Sequence, residues 1–214
     1  MKIYELLSEQ INVDDLTNEI LTNCSPFLKQ IDYNILQYPL YRGFMMDSTQ
    51  VNDNLITIPG FRNDRKPVDT PSEVHKMINA AFIKQFHFPF RNGTFVCSNF
   101  KDARAYGNVS MILPKGDFHF LWSPDAKDLY QKYRSFRRNY LETEGAHVGY
   151  GDIVVKKFIE AMNNNDFNYR NDNLKAAIQS GHEIMLYCDE CYKISPRSEI
   201  IAAVIKNITT KGAK

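Results

Sequence analysis

The chain has 214 residues, 43% of them hydrophobic and 24% charged, which suits one soluble domain, or a domain with a small extension, and excludes fibrous, collagen-like and wholly disordered chains. A chain of this size buries roughly 70% of the surface its unfolded form exposes, so its core needs neither disulfides nor a structural metal. With 26 basic and 25 acidic side chains, the formal net charge is +1; no global field draws in nucleic acid or an anionic membrane, and such contact would need a local patch.

Residues 1–37 read as a helical extension. Leu6, Leu7, Ile11, Leu16, Ile20, Leu21 and Leu28 recur at three-to-four spacing, Asn12 or Asp14 is available as a cap, and Pro26 opens a second helix. Met1 to Gln10 carry neither a basic leader nor an apolar run, which argues against a secretory signal. No stretch approaches the roughly 20 apolar residues of a membrane span, so a cytoplasmic location is expected. Cys24, Cys97, Cys188 and Cys191 are too few and too unevenly spread for a disulfide framework and read as reduced thiols. The Cys188–Cys191 pair lacks a second Cys or His pair for zinc and the strand-then-helix setting of a thioredoxin motif.

Tyr38 to Phe44 form the first expected strand. Residues 45–71 read as a loop with one or two short strands around Leu55–Ile58. Thr70-Pro-Ser-Glu73 predicts a helix start with a hydroxyl cap, and Val74, Met77, Ile78 and Ala81 mark its apolar face. Strands follow at Thr94–Ser98, Val109–Leu113 (closed by Pro114 and Gly116) and Phe118–Trp122, with a short helix at Lys101–Tyr106. Ser123-Pro-Asp125 caps a helix reaching Tyr140, Val154–Met162 is helical, and the Asn-rich residues 163–173 form a loop. His182–Cys188 and Cys191–Ile194 read as strands joined by a tight Asp189-Glu190 turn. A last helix runs from Pro196 to about Lys206 before a flexible tail, residues 207–214. The class is α+β, with no β-α-β alternation and no internal repeat.

The phosphate loop GxxxxGK[ST], the dinucleotide GxGxxG, the serine elbow GxSxG and the zinc HExxH are all missing. Three local signals remain. Tyr41-Arg42-Gly43 lies on the first strand: a planar guanidinium suits bidentate binding of phosphate, and glycine permits close backbone approach. Cys97-Ser98-Asn99 ends a middle strand, with Ala103 and Tyr106 downstream. Glu183 opens the apolar strand Ile184-Met-Leu-Tyr. In isolation each reads as an ordinary feature: a surface arginine at a strand end, a helix cap, and an edge charge in water.

Taken in this order, the three signals resemble the signature of the Arg-Ser-Glu branch of the ADP-ribosyltransferases, over Leu40 to Ile194. Arg65-Lys-Pro-Val-Asp-Thr70, Pro89-Phe-Arg91 and Leu121-Trp-Ser-Pro124-Asp also look like blocks of bacteriophage proteins. The resemblance implies split mixed or antiparallel sheets with flanking helices, a catalytic domain over residues 38–206, and NAD as substrate without a metal. It implies cleavage of the nicotinamide–ribose bond and transfer of ADP-ribose to a macromolecular acceptor, a host protein in preference to nucleic acid, in the host cytoplasm and away from membranes. Glu183 takes the catalytic place. Tyr41, Arg42, Gly43, Cys97, Ser98 and Tyr106 take NAD-binding places, with Cys97 or Ser98 orienting Glu183 and Tyr106 either stacking on nicotinamide or packing in the core. Arg65 and Arg91 are candidate phosphate or target contacts.

This chain departs from the family pattern at two places. The middle segment is Cys-Ser-Asn where the family has a Ser-Thr-Ser-like run. Gly181 stands where arginine-modifying members carry a second acid or amide. Glu142 and Glu144 form a rival Glu-x-Glu, but Gly145-Ala-His follows them instead of a strand. Arg134, Arg137 and Arg138 read either as the wet face of a helix or as a local guide for nucleic acid. The alternative to an enzyme is a binding protein on a decayed transferase fold.

Overall fold

The computed structural model describes residues 12–45, 55–65, 70–144, 151–196 and 198–212. Leu6, Leu7 and Ile11 of the N-terminal stripe, Lys66 to Asp69 of the basic block, and Gly145-Ala-His147 lie outside the described residues. The helices described are α1 (Val13–Asn23), α2 (Ser25–Gln30), α3 (Ser72–Phe86), α4 (Phe100–Arg104), α5 (Leu129–Glu144), α6 (Gly151–Asn163), α7 (Leu174–Ser180) and α8 (Glu199–Gly212). The strands are β1 (Tyr41–Phe44), β2 (Leu55–Pro59), β3 (Thr94–Val96), β4 (Asn108–Lys115), β5 (His119–Trp122), β6 (Ile184–Tyr187) and β7 (Glu190–Ile194).

They form two antiparallel sheets, ordered β1-β4-β7-β2 and β3-β6-β5, and the α+β class follows. The side chains of the three-stranded sheet alternate between two apolar clusters, as the period of two requires. Val96, Phe120, Trp122, Ile184 and Leu186 pack with β4, β7, α1, α2 and α8. Phe95, Leu121, Met185 and Tyr187 face α3, α5 and α6. Glu183 precedes β6 with the parity of Met185, which sends it towards α3 and α5.

The Asp189-Glu190 turn does not close a hairpin. β6 pairs with β3 and β5, whereas β7 pairs with β4 and β2, so the chain steps from one sheet to the other at Cys188-Asp189. The tight crossing is held by the Gly60 N–H donating to the Asp189 carbonyl at 2.9 Å. A Cβ at Gly60 would lie 2.3 Å from the Cys188 carbonyl.

Local differences have local causes. Asn12 caps α1 by accepting the Asp14 N–H at 2.9 Å, but Thr70 does not cap α3: Pro71 holds the cap position and the Thr70 hydroxyl meets Arg91 instead. Ser123 accepts the N–H groups of Asp125 and Ala126, which makes a turn, and α5 begins only at Leu129. Pro114 lies within β4; β1 pairs no further than Met111, leaving Pro114 a partner in β7 alone, a position that tolerates a missing N–H. α7 is a short helix not expected from the sequence, and its αL cap Asn173 accepts the Ala176 N–H.

α8 starts at Glu199 and continues through Gly212, beyond the expected end near Lys206, so Thr210, Lys211 and Gly212 are helical. Its Ile201, Val204, Ile205 and Ile208 share a core with Leu16 and Ile20 of α1 and Phe27 and Leu28 of α2. No helix among the described residues is long and apolar enough to cross a membrane.

Candidate functional site

The site forms where the two sheets meet. Tyr41 of β1 and Cys97, just past β3, form an antiparallel bridge, with Tyr41 N–H to Cys97 carbonyl at 2.7 Å and the reverse bond at 3.0 Å. This link carries the Arg42 strand to the Cys97-Ser98 segment. The Tyr41 ring stands edge-on to Phe100 at 5.5 Å. Gly43 does permit a close approach, but by the protein's own backbone: a Cβ there would lie 2.1 Å from the Ala103 carbonyl and 2.9 Å from Tyr106. The adjoining Tyr106 is 58% exposed, on the open side of this contact and outside the core.

Arg42 is half-buried, its guanidinium 5.2 Å from the Phe44 ring centre. Burial and the neighbouring Arg62 charge lower its pKa. Arg65 lies over the Phe95 ring at 3.7 Å and donates to the Gly93 carbonyl. Burial, with Arg42 and Arg91 beside it, lowers its pKa to about 9. Arg91 is 3% exposed, 4.8 Å from the same Phe95 ring, and its Nε has no hydrogen-bond partner. Its guanidinium donates to Thr70 at 3.3 Å and its backbone N–H to Asn79 at 3.0 Å. Arg42 of β1, Arg62 and Arg65 of the loop after β2, and Arg91 of the turn before β3 thus converge into one cationic cluster. Such clustering of partly buried like charge is costly, and an anion relieves it.

Glu183 is the acidic counterpart. Its backbone N–H donates to the Lys127 carbonyl at 2.8 Å, and its carboxylate accepts the Leu129 N–H at the start of α5. Burial raises its pKa to about 7, reinforced by Asp128 and opposed by Arg91, the Leu129 N–H and Arg65. Of the sequence-predicted residues, Arg65 and Arg91 therefore act on Glu183, and Arg42 joins them through Arg65. Cys97 senses Glu183 as well, although burial is the main cause of its raised pKa. The Ser98 hydroxyl is directed elsewhere, donating to the Ile178 carbonyl in α7, so it braces that helix and not Glu183.

Three neighbours of Glu183 and Arg91 escaped the sequence reading. Asp128 is half-buried, and its Oδ1 accepts the Gln131 N–H at 2.9 Å; an Asp three residues before Gln131 reads only as a cap. Tyr169 is buried, its phenol pushed well above its ordinary range by burial and then by Glu183. His75 lies 3.3 Å from Asn92 and its Nδ1 is unpaired. Burial and Arg91 lower its pKa.

Other candidates stand apart. Trp122 is buried and donates to the Asp172 carbonyl at 2.9 Å, while Arg134, Arg137 and Arg138 are exposed on α5. Cys188 and Cys191 are buried free thiols 3.2 Å apart, and among the described residues no group of three or more His, Cys, Asp or Glu could hold a metal ion. An open hollow of about 540 Å³ beside Asn23, Lys115 and Glu190 contains none of the cluster residues. Compared with protein-family models, curated proteins and solved structures, the chain matches none of them.

Proposed function

We propose that the protein is an NAD-dependent mono-ADP-ribosyltransferase with an ADP-ribosyltransferase-like fold, acting in the cytoplasm on a macromolecular acceptor. One observation carries the reading: from four separate segments, Arg65 and Arg91 act on the strand-leading Glu183 carboxylate, and Arg42 joins them through Arg65. The four cysteines are free thiols, which suits a reducing compartment. The formal net charge of +1 favours a specific protein acceptor over nucleic acid.

In this reading Arg42 and Arg65 hold the NAD pyrophosphate through planar guanidinium forks. The C1′–N bond breaks with its electron pair leaving on nicotinamide, whose ring nitrogen becomes neutral, and positive charge spreads over the ribose C1′ and ring oxygen. The Glu183 carboxylate, beside the 2′-hydroxyl, stabilises that charge more than it stabilises bound NAD. The acceptor then bonds to C1′ and releases its proton. Glu183 must be ionised to do this, so a pKa of about 7 makes the rate rise with pH through neutrality.

Purified protein incubated with NAD labelled in its adenylate half and with a bacterial lysate tests the reading. Label on a protein band supports transfer to protein, and a labelled nucleic-acid smear moves the acceptor to nucleic acid. Arg42→Ala should raise the NAD KM at least ten-fold. Absence of both transfer and NAD cleavage overturns the enzyme and leaves an anion-binding protein.

A further inference from the structure

We infer that Asp128 is the acceptor-side base of the site, taking the proton of the hydroxyl or water that attacks C1′; this rests on the ADP-ribosyl-transfer reading above. Breaking a glycosidic bond through an oxocarbenium-like state calls on two carboxylates, one beside the sugar or on the leaving group and one that activates the incoming oxygen. Here the leaving nicotinamide departs neutral and needs no proton, so a second carboxylate is available to the acceptor. The chain has Gly181, not an acid, two residues before Glu183. Tertiary structure supplies an acid from another segment.

The Glu183–Lys127 backbone bond at 2.8 Å fixes residues 127–129 against the start of β6, and the Leu129 N–H meets the Glu183 carboxylate. Asp128 is thereby set between two residues that hold Glu183. The groups that act electrostatically on Glu183 or feel its charge are Asp128 and the Leu129 N–H from the start of α5, Arg91 from the turn before β3, Arg65 from the loop after β2, Tyr169 from the loop before α7, and Cys97 from the end of β3. Asp128 is the acid among them besides Glu183. It is half-buried, in contact with solvent through which a proton can leave. Its Oδ1 is occupied by the Gln131 N–H, which leaves Oδ2 for the proton. In the step, the attacking O–H forms the C1′–O bond as its proton passes to Oδ2 and from there to water, while the C1′–N pair leaves with nicotinamide.

A capping role alone survives in Asp128→Asn and Asp128→Ser, since Asn and Ser cap helices as Asp does. Both variants are assayed with labelled NAD in water, with added methanol, and with added azide, an anionic nucleophile that needs no base. ADP-ribose and methyl ADP-riboside should form about 100-fold more slowly than with wild type, the usual scale of a lost general base, while the azide adduct forms within a few-fold of the wild-type rate. The Glu183 carboxyl, followed by NMR in the ligand-free protein, should titrate at lower pH in Asp128→Asn. Equal losses for methanol and azide, unchanged hydrolysis, or an unmoved Glu183 titration overturns the role of Asp128 alone. A wild-type protein that does not cleave NAD, although its Glu183 titration responds to Asp128, removes the transferase reading and the base with it.

Discussion

Glu183 stabilises charge in the reaction and destabilises the fold when ionised, for the same physical reason. Its folded pKa of about 7 lies above the ordinary 4.5 because the protein strips water from the carboxylate. Between those values the native state binds more protons than the unfolded chain, so the stability contributed by this group is full below about pH 4.5 and is lost as pH rises through 7. The loss reaches up to about 3 kcal/mol, reduced by water screening at a half-buried position. Glu183→Gln should therefore melt higher than wild type at pH 8 and flatten the stability profile between pH 5 and pH 8, while transfer falls by about two orders of magnitude. Thermal unfolding across pH, with activity measured on the same samples, checks both; a variant less stable at pH 8 contradicts the burial argument.

At the scale of elements, β1 is positioned by two short contacts: the Tyr41–Cys97 bridge to the second sheet, and α4 lying against Gly43. Any side chain at position 43 collides with backbone, 2.1 Å from the Ala103 carbonyl, and backbone yields less readily than the end of a flexible side chain. Gly43→Ala should cost about 1–3 kcal/mol, as overpacking does, and should weaken NAD binding by displacing Arg42 and Tyr106. Melting temperature and NAD titration by calorimetry measure the two effects, and unchanged values for both would contradict a tight α4–β1 contact. Gly43 was readable as a close-approach glycine; that α4 is what approaches was not, since spacing along the chain does not name the partner of a strand face.

On the scale of the whole molecule, the N-terminal helices are part of the core. Leu16, Ile20, Phe27, Leu28, Ile31 and Ile35 are buried in the cluster that also holds β4, β7 and α8. Each such side chain contributes about 1.5–3 kcal/mol on burial, together on the order of 10 kcal/mol and comparable to the whole stability of a domain. A chain beginning at Tyr38 should therefore fail to fold as a cooperative unit. Circular dichroism melting tests this, and a sharp transition would show a self-sufficient remainder.

The sequence by itself determined what depends on near neighbours: the α+β class, a cap at Asn12 or Asp14, the helix start at Pro26, and most strands through their apolar runs. It also singled out Arg42 and Glu183, because a charge set in an apolar or glycine-bearing strand context stands out locally, whereas Arg65 and Arg91 came forward only as candidate phosphate or target contacts. Only the tertiary structure decided that β6 and β7 part into different sheets, since a two-residue link is compatible with either a hairpin or a crossing and long-range pairing chooses between them. The same holds for Ser98 turning to α7, and for Asp128 joining Glu183 at the start of α5. A carboxylate that caps a helix looks the same in sequence whether or not another acid folds against it, because electrostatic coupling depends on distance in space, which the fold alone sets.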